Sequence, residues 1–179
     1  MAPLDAVDPI AEARRQWEQR WPGGASMAAA TSIMRAQQIV QSSVAHVLKP
    51  FGLTFARYEA LVLLAFSRRG ALPMGKMGQR LMIHPTSVTN IVDRLEAQGF
   101  ARRLPHDHDR RTTMVAITPA GRAVVDEATD VVVGCAFGLD GLSDAQLDTL
   151  TALVRDLRVA GGEVPATPIT SMADVPATP

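Results

Sequence analysis

A chain of 179 residues with 47% hydrophobic content matches a soluble globular protein, and one compact unit is expected. Lys+Arg and Asp+Glu both total 18, so a net charge of zero excludes a chain-wide attraction to nucleic acid and leaves any basic footprint local. The single cysteine, Cys135, excludes an internal disulfide framework, and the longest apolar run, Ala60 to Phe66, is far short of the roughly 20 residues that span a bilayer.

The N-terminus carries Asp5, Asp8 and Glu12 where a signal peptide would have a basic start and an apolar stretch, so no export segment and a cytoplasmic location are expected. Residues 1–25, with Trp17 and Trp21, read as a polar extension, partly helical. From Ser26 to Lys49 the side chains Ile33, Val40, Val44, Val47 and Leu48 follow helical spacing, and Pro50 closes that helix. Thr54 can cap the next, whose Tyr58, Leu61, Val62, Leu63 and Leu64 are apolar enough to be largely buried before Arg68-Arg69-Gly70. A short helix follows over about Met74 to Met82. His84-Pro85 then opens another, with proline at the first helical position where its missing N–H is harmless, running to Gln98 and stopping at Gly99.

Between Phe100 and Thr118 the pattern turns strand-like: Ala101 to Leu104, a polar stretch His106 to Arg111, then Thr112 to Thr118 rich in β-branched residues, which predicts a hairpin. Thr118-Pro119 repeats the cap-plus-proline signal and opens a helix through Val124, Val125, Ala128, Val131 and Val132, with Phe137 as its outer bound. Ser143 with Gln146 forms a capping box for a last helix carrying Leu147, Leu150, Val154 and Leu157. Residues 161–179 repeat Val-Pro-Ala-Thr-Pro without an apolar period and read as a disordered, Pro-rich tail. The expected fold class is mainly α with a small β-hairpin wing.

Two short helices joined by a tight turn and followed at once by a hairpin are the parts of a winged helix-turn-helix, whose second helix enters the major groove of duplex DNA. Local charge agrees: from Lys76 to Arg122 there are eight basic residues (Lys76, Arg80, Arg94, Arg102, Arg103, Arg110, Arg111, Arg122) against four acidic ones (Asp93, Glu96, Asp107, Asp109). On the helix from Pro85, the apolar Val88, Ile91, Val92 and Leu95 form one stripe. Thr86, Ser87, Thr89, Asn90 and Arg94 are left on other faces as candidate DNA contacts. Those five could equally be ordinary polar positions of an exposed helix.

Val92-Asp93-Arg94-Leu95-Glu96 with Gly99-Phe100, then Asp109-Arg110-Arg111, then Val115-Ala116-Ile117-Thr118-Pro119-Ala120-Gly121 resemble the recognition-helix end, wing tip and wing-to-helix junction of the MarR (multiple antibiotic resistance regulator) family. In order and spacing the resemblance covers about residues 30 to 160, and it implies a regulator domain over 26–160. Its DNA-binding lobe would span about 54–118 and its dimerisation helices about 26–49 and 119–160. It also implies that Arg111 enters the minor groove, where narrow width concentrates negative potential, with Asp109 orienting it and Arg110 beside it. A homodimer on a palindromic operator is implied, using the surplus apolar faces of Ile33, Val40, Val44 and Val47 and of Leu147, Leu150 and Leu157.

The family's effector pocket lies where the dimer helices meet the DNA-binding lobe, which makes Arg35, His46, Tyr58 and Glu59 the candidate ligand contacts. The implied effector is a phenolic, aromatic or organic-acid molecule, and repression is the implied output. Trp17 and Glu59 are similar to features of the urate-responsive subgroup, but Ile91 stands where that subgroup has an arginine, which argues against urate. No cofactor, metal, membrane or catalytic role is expected. The alternative reading is a metal-dependent hydrolase or metal sensor using His106-Asp107-His108-Asp109, although these four lie on one turn without a distant partner cluster. Cys135 reads as a buried structural cysteine rather than a peroxide sensor.

Overall fold

The computed structural model describes residues 7–106 and 111–165. Among them are seven α-helices and a three-stranded antiparallel sheet, and the chain divides into two compact units, Met1–Gly138 and Leu139–Pro179. None of the helices is long and apolar enough to cross a membrane.

In the first unit, α1 (Pro9–Glu18) is capped by Asp8, whose Oδ1 accepts from the Ile10 N–H at 2.9 Å. It is tied back by Trp17, which donates through Nε1 to the Pro22 carbonyl at 2.9 Å and packs against Trp21. The long α2 (Gly24–Leu48) buries Val44 and Leu48 in the core, half-buries Val40 and Val47, and leaves Ile33, Met34 and Ile39 exposed. Val44 is thus withdrawn from the apolar face expected for dimerisation: its own chain covers it. Thr54 caps α3 (Phe55–Phe66) by accepting from the Arg57 N–H, and Tyr58, Leu61 and Leu64 are buried as the apolar pattern predicts.

The sheet contains the expected hairpin and extends it by one strand. Besides β2 (Ala101–Pro105) and β3 (Thr113–Ile117), a third strand, β1 (Ala71–Pro73), pairs antiparallel with β3 in the order β1-β3-β2. Its register sets Leu72 opposite Val115 and Pro73 opposite Met114. Being an edge strand, β1 tolerates a proline, and its three residues are too few to show alternation. Between β1 and β2 lie α4 (Met74–Leu81) and α5 (Pro85–Ala97), packed on the core through Met77, Val88, Val92 and Leu95.

The junction into α6 (Pro119–Gly134) explains the Thr-Pro-Ala-Gly run. Thr118 Oγ1 donates to the Gly99 carbonyl at 2.7 Å and accepts from the Gly121 N–H at 3.0 Å, while the Thr118 N–H donates to Phe100 O at 3.0 Å. A Cβ at Gly121 would overlap the Phe100 carbonyl and lie 2.9 Å from Ile117 Cγ1, so only glycine lets the helix start this close to the strand. The helix stops at Gly134 and does not reach Phe137, because Ala136 and Phe137 take left-handed conformations with φ of 45° and 55°. Cys135 caps α6, half-buried rather than buried, and its thiol donates to Val132 O at 3.3 Å.

In the second unit, α7 (Asp144–Ala160) starts with the predicted capping box: Gln146 Oε1 accepts from the Ser143 N–H at 2.9 Å and from its hydroxyl at 3.0 Å. It exposes Leu150, Leu153, Val154 and Leu157. Arg158 pairs with Glu163 beyond the helix end. The tail reading of 161–179 falls outside the described residues from 166 onward.

Candidate nucleic-acid interface

Helix α5 is set by a proline at its first position and by His84, whose Nδ1 accepts from the Thr86 N–H at 3.2 Å, which requires a lone pair on that nitrogen. Val88, Val92 and Leu95 are buried and Ile91 half-buried, so one face is committed to the core. Thr86, Ser87, Thr89, Asn90 and Arg94 are all exposed, as expected. With about 3.6 residues per turn, Thr86 and Asn90 point almost directly away from the buried stripe, and Arg94 and Ser87 lie together on one side of them. Thr89 has the least to offer an incoming group, since its hydroxyl donates to the Pro85 carbonyl at 3.2 Å and only its lone pairs remain.

Arg103 joins this helix to the wing, a role that the sequence reading missed. Its backbone N–H donates to Glu96 Oε1 at 2.6 Å, its Nη1 pairs with Glu96 Oε2, and its Nη2 donates to Asp93 Oδ1 at 2.6 Å. Partial burial disfavours the guanidinium charge, and the hydrogen bonds to Asp93 and Glu96 more than offset that, holding its pKa above the ordinary arginine value. The two carboxylates of α5 that would otherwise repel a phosphate backbone are thereby paired with a fixed cation.

Of the wing-tip candidates, Asp109 and Arg110 lie outside the described residues, as do the Asp107, His108 and Asp109 of the metal alternative. Arg111 is exposed and, with His106, Thr112, Lys76 and Gln79, lines a groove of about 580 Å³ between the start of α4 and the wing. Lys76 belongs to the local basic surplus, whereas Gln79 carries no signature in the sequence. A groove with these donors suits phosphate oxygens. Among the described residues no group of His, Cys, Asp and Glu is arranged to hold a metal ion.

The four ligand candidates are not brought together. Tyr58 and Glu59 line a cavity of about 710 Å³ walled by α3 and α6, with Leu81 of α4 and Phe137 completing it. Arg35 and His46 are exposed on α2, which contributes nothing to the lining, and Arg35 donates to Gln38 Oε1 at 3.0 Å. The cavity's other polar groups, Asp126, Thr129 and Asp130, come from α6 and had no signature beyond their helical spacing. Tyr58 hydroxyl and Thr129 Oγ1 lie 3.1 Å apart across the two helices.

A family model described as the MarR family matches residues 51–112, from the turn before α3 to the wing. A MarR family transcriptional regulator from Streptomyces coelicolor, solved at near-atomic resolution, is 52% identical, covers 79% of this chain and 98% of its own, and superposes with a TM-score of 0.72. A second from the same organism, solved in complex with DNA, is 25% identical over 82% of this chain and 92% of its own, with a TM-score of 0.73. An uncharacterized HTH-type transcriptional regulator of Bacillus subtilis is 30% identical over 112 residues, which are 62% of this chain and 71% of the relative. The match to an Escherichia coli HTH-type transcriptional regulator spans 58% of that relative's length.

Proposed function

The chain belongs to the MarR family of transcription regulators, and from that premise we propose that it is a ligand-responsive repressor binding a palindromic duplex operator as a homodimer. The observation that carries the reading is α5: one face is buried in the core, the opposite one presents Thr86, Ser87, Asn90 and Arg94, and Arg103 holds the wing beside it. Asn can pair bidentately with adenine and Arg with guanine in the major groove, while Arg111 and Lys76 supply phosphate or minor-groove contacts.

A dimer is favoured by the apolar side chains left exposed on α2 (Ile33, Met34, Ile39) and on α7 (Leu150, Leu153, Leu157). Two-fold symmetry would set two recognition helices about 34 Å apart, matching half-sites one helical turn apart. Occupying a promoter duplex is enough to exclude polymerase, so repression needs no further element, and a cytoplasmic location follows from that role.

Ligand response is supported by where the cavity sits. Leu81, the last residue of α4, forms part of its wall, so a molecule filling it presses on the helix that precedes the reader. From α3, Arg57 donates to Gln98 Oε1 at 3.2 Å, and Gln98 caps α5. Binding that shifts α3 or α4 therefore moves both ends of the recognition helix.

Selection of bound sequences from a random duplex library tests the proposal. A two-fold symmetric site with half-sites about 10 base pairs apart is the expected result. Recovery of unenriched sequence would overturn specific operator binding, and sedimentation of the folded chain as a monomer at submicromolar concentration would overturn the dimer.

A further inference from the structure

The cavity between α3 and α6 has a chemical bias that narrows what can enter it. Its interior is apolar and aromatic: Val62, Leu63, Leu81 and Val125 form walls, and Phe55 stacks on Tyr58 with centroids 6.4 Å apart. At its edge stand three exposed carboxylates, Glu59 from α3 and Asp126 and Asp130 from α6, and no Lys, Arg or His is among the lining residues.

The hydroxyls add to the same bias. Thr129 gives its only hydroxyl proton to the Val125 carbonyl at 2.6 Å, so in the 3.1 Å contact Tyr58 must be the donor and Thr129 the acceptor. With that proton used, the phenol oxygen offers a visitor lone pairs only. Every polar side chain of the cavity therefore accepts hydrogen bonds, which favours a ligand that supplies both donors and positive charge. Partial burial raises the pKa of Glu59, and a cation placed beside it would oppose that shift by stabilising the carboxylate.

We propose that the cavity binds a small organic cation, an ammonium or amidinium on an aromatic or other apolar body, with the body against Tyr58, Leu81 and Val125 and the charge among Glu59, Asp126 and Asp130. The assignment rests on the reading of this cavity as the effector site, and it replaces the organic acid implied by family resemblance with the opposite charge. A volume of about 710 Å³ accommodates such a molecule, since small-molecule sites span roughly 300–1,000 Å³. The faces of Tyr58 and Phe55 offer cation–π attraction as well.

Phenylbutylamine and phenylbutyrate share one body and differ in the sign of the head group. Each is titrated calorimetrically into the DNA-free full chain near neutral pH, and into a variant carrying Glu59→Gln, Asp126→Asn and Asp130→Asn whose folding is verified by its melting transition. The amine is expected to bind at least about tenfold more tightly than the acid, and to lose at least about tenfold in the variant. Equal or tighter binding of the acid would overturn the cation assignment while leaving the cavity as an effector site. Amine binding unchanged in the variant would place the ligand elsewhere and overturn the assignment too. Binding of neither compound would overturn both the assignment and the effector reading.

Discussion

Arg103 Nη2 lies 2.6 Å from Asp93 Oδ1, so a strand of the wing is ion-paired to α5. The same guanidinium reaches Glu96 one turn further along α5, and the Arg103 backbone N–H bonds that carboxylate as well. Two effects follow from one side chain. The wing is held at a fixed distance from the helix, and the negative charge that α5 carries toward its C-terminal end is balanced before any phosphate approaches.

Replacing Arg103 with Ala should therefore weaken DNA binding more than it weakens the fold. The ion pairs are partly solvated, and such pairs contribute only about 0–1 kcal/mol to stability. On DNA, however, the variant exposes two uncompensated carboxylates next to phosphates and frees the wing. A loss of about 10- to 100-fold in affinity is expected, equal to about 1.4–2.8 kcal/mol. Adding Asp93→Asn and Glu96→Gln to the variant should recover the electrostatic part, and fluorescence anisotropy at fixed salt reads both changes. No recovery would assign the whole effect to wing position.

Arg111→Ala should cost roughly 1–3 kcal/mol of DNA binding and reduce the salt slope by about 1, because the side chain is exposed on the wing and lost with it is one phosphate or minor-groove cation. The melting temperature should stay unchanged. Titrations at several salt concentrations check the slope directly, and an unaltered slope would remove Arg111 from the interface.

The caps and prolines made the helices legible: Thr54, Pro85, Thr118 and Ser143 each stand where the structure starts a helix, because a local oxygen or a fixed φ does the work without tertiary help. The buried stripe of α5 was legible for the same reason, since Val88, Val92 and Leu95 recur at the helical period. What could not be read depends on contacts distant in sequence. Strand β1 exists only because β3 offers it an edge, Arg103 pairs with α5 only because the β2 register faces it toward that helix, and the acids of α3 and α6 line one cavity only when the two helices pack together. Arg35 and His46 are exposed polar residues of α2, a helix that lines no part of the cavity, and only the packing of α3 on α6 shows this.

Gly121→Ala should destabilise the fold by roughly 1–3 kcal/mol or more, because the added methyl overlaps a backbone carbonyl that cannot rotate away as a side-chain tip could. Gly99→Ala offers a control with a different cause: nothing crowds its Cβ position, and the strain is confined to its φ of 75°. Chemical denaturation should therefore show the larger loss at Gly121. Equal losses would mean that the close approach of α6 to Phe100 relaxes freely.

Glu59 is a cavity carboxyl whose pKa burial shifts upward. Asp126 and Asp130 of the facing α6 share its cavity, and no cationic side chain lines it. A carboxyl whose pKa is higher in the folded than in the unfolded chain binds more protons when folded, over the interval between the two values. Stability contributed by Glu59 is therefore full below its unfolded pKa, falls as pH rises through the folded pKa, and stays lower above it. Glu59→Gln removes this loss, so the variant should melt at a higher temperature than the parent near neutral pH, with the gap closing as pH falls toward the unfolded value. Melting curves of both proteins across that range decide it. A gap that does not change with pH would show that the glutamine acts through packing, and a parent that melts higher at neutral pH would mean that the carboxylate is stabilised by a partner the cavity walls do not supply.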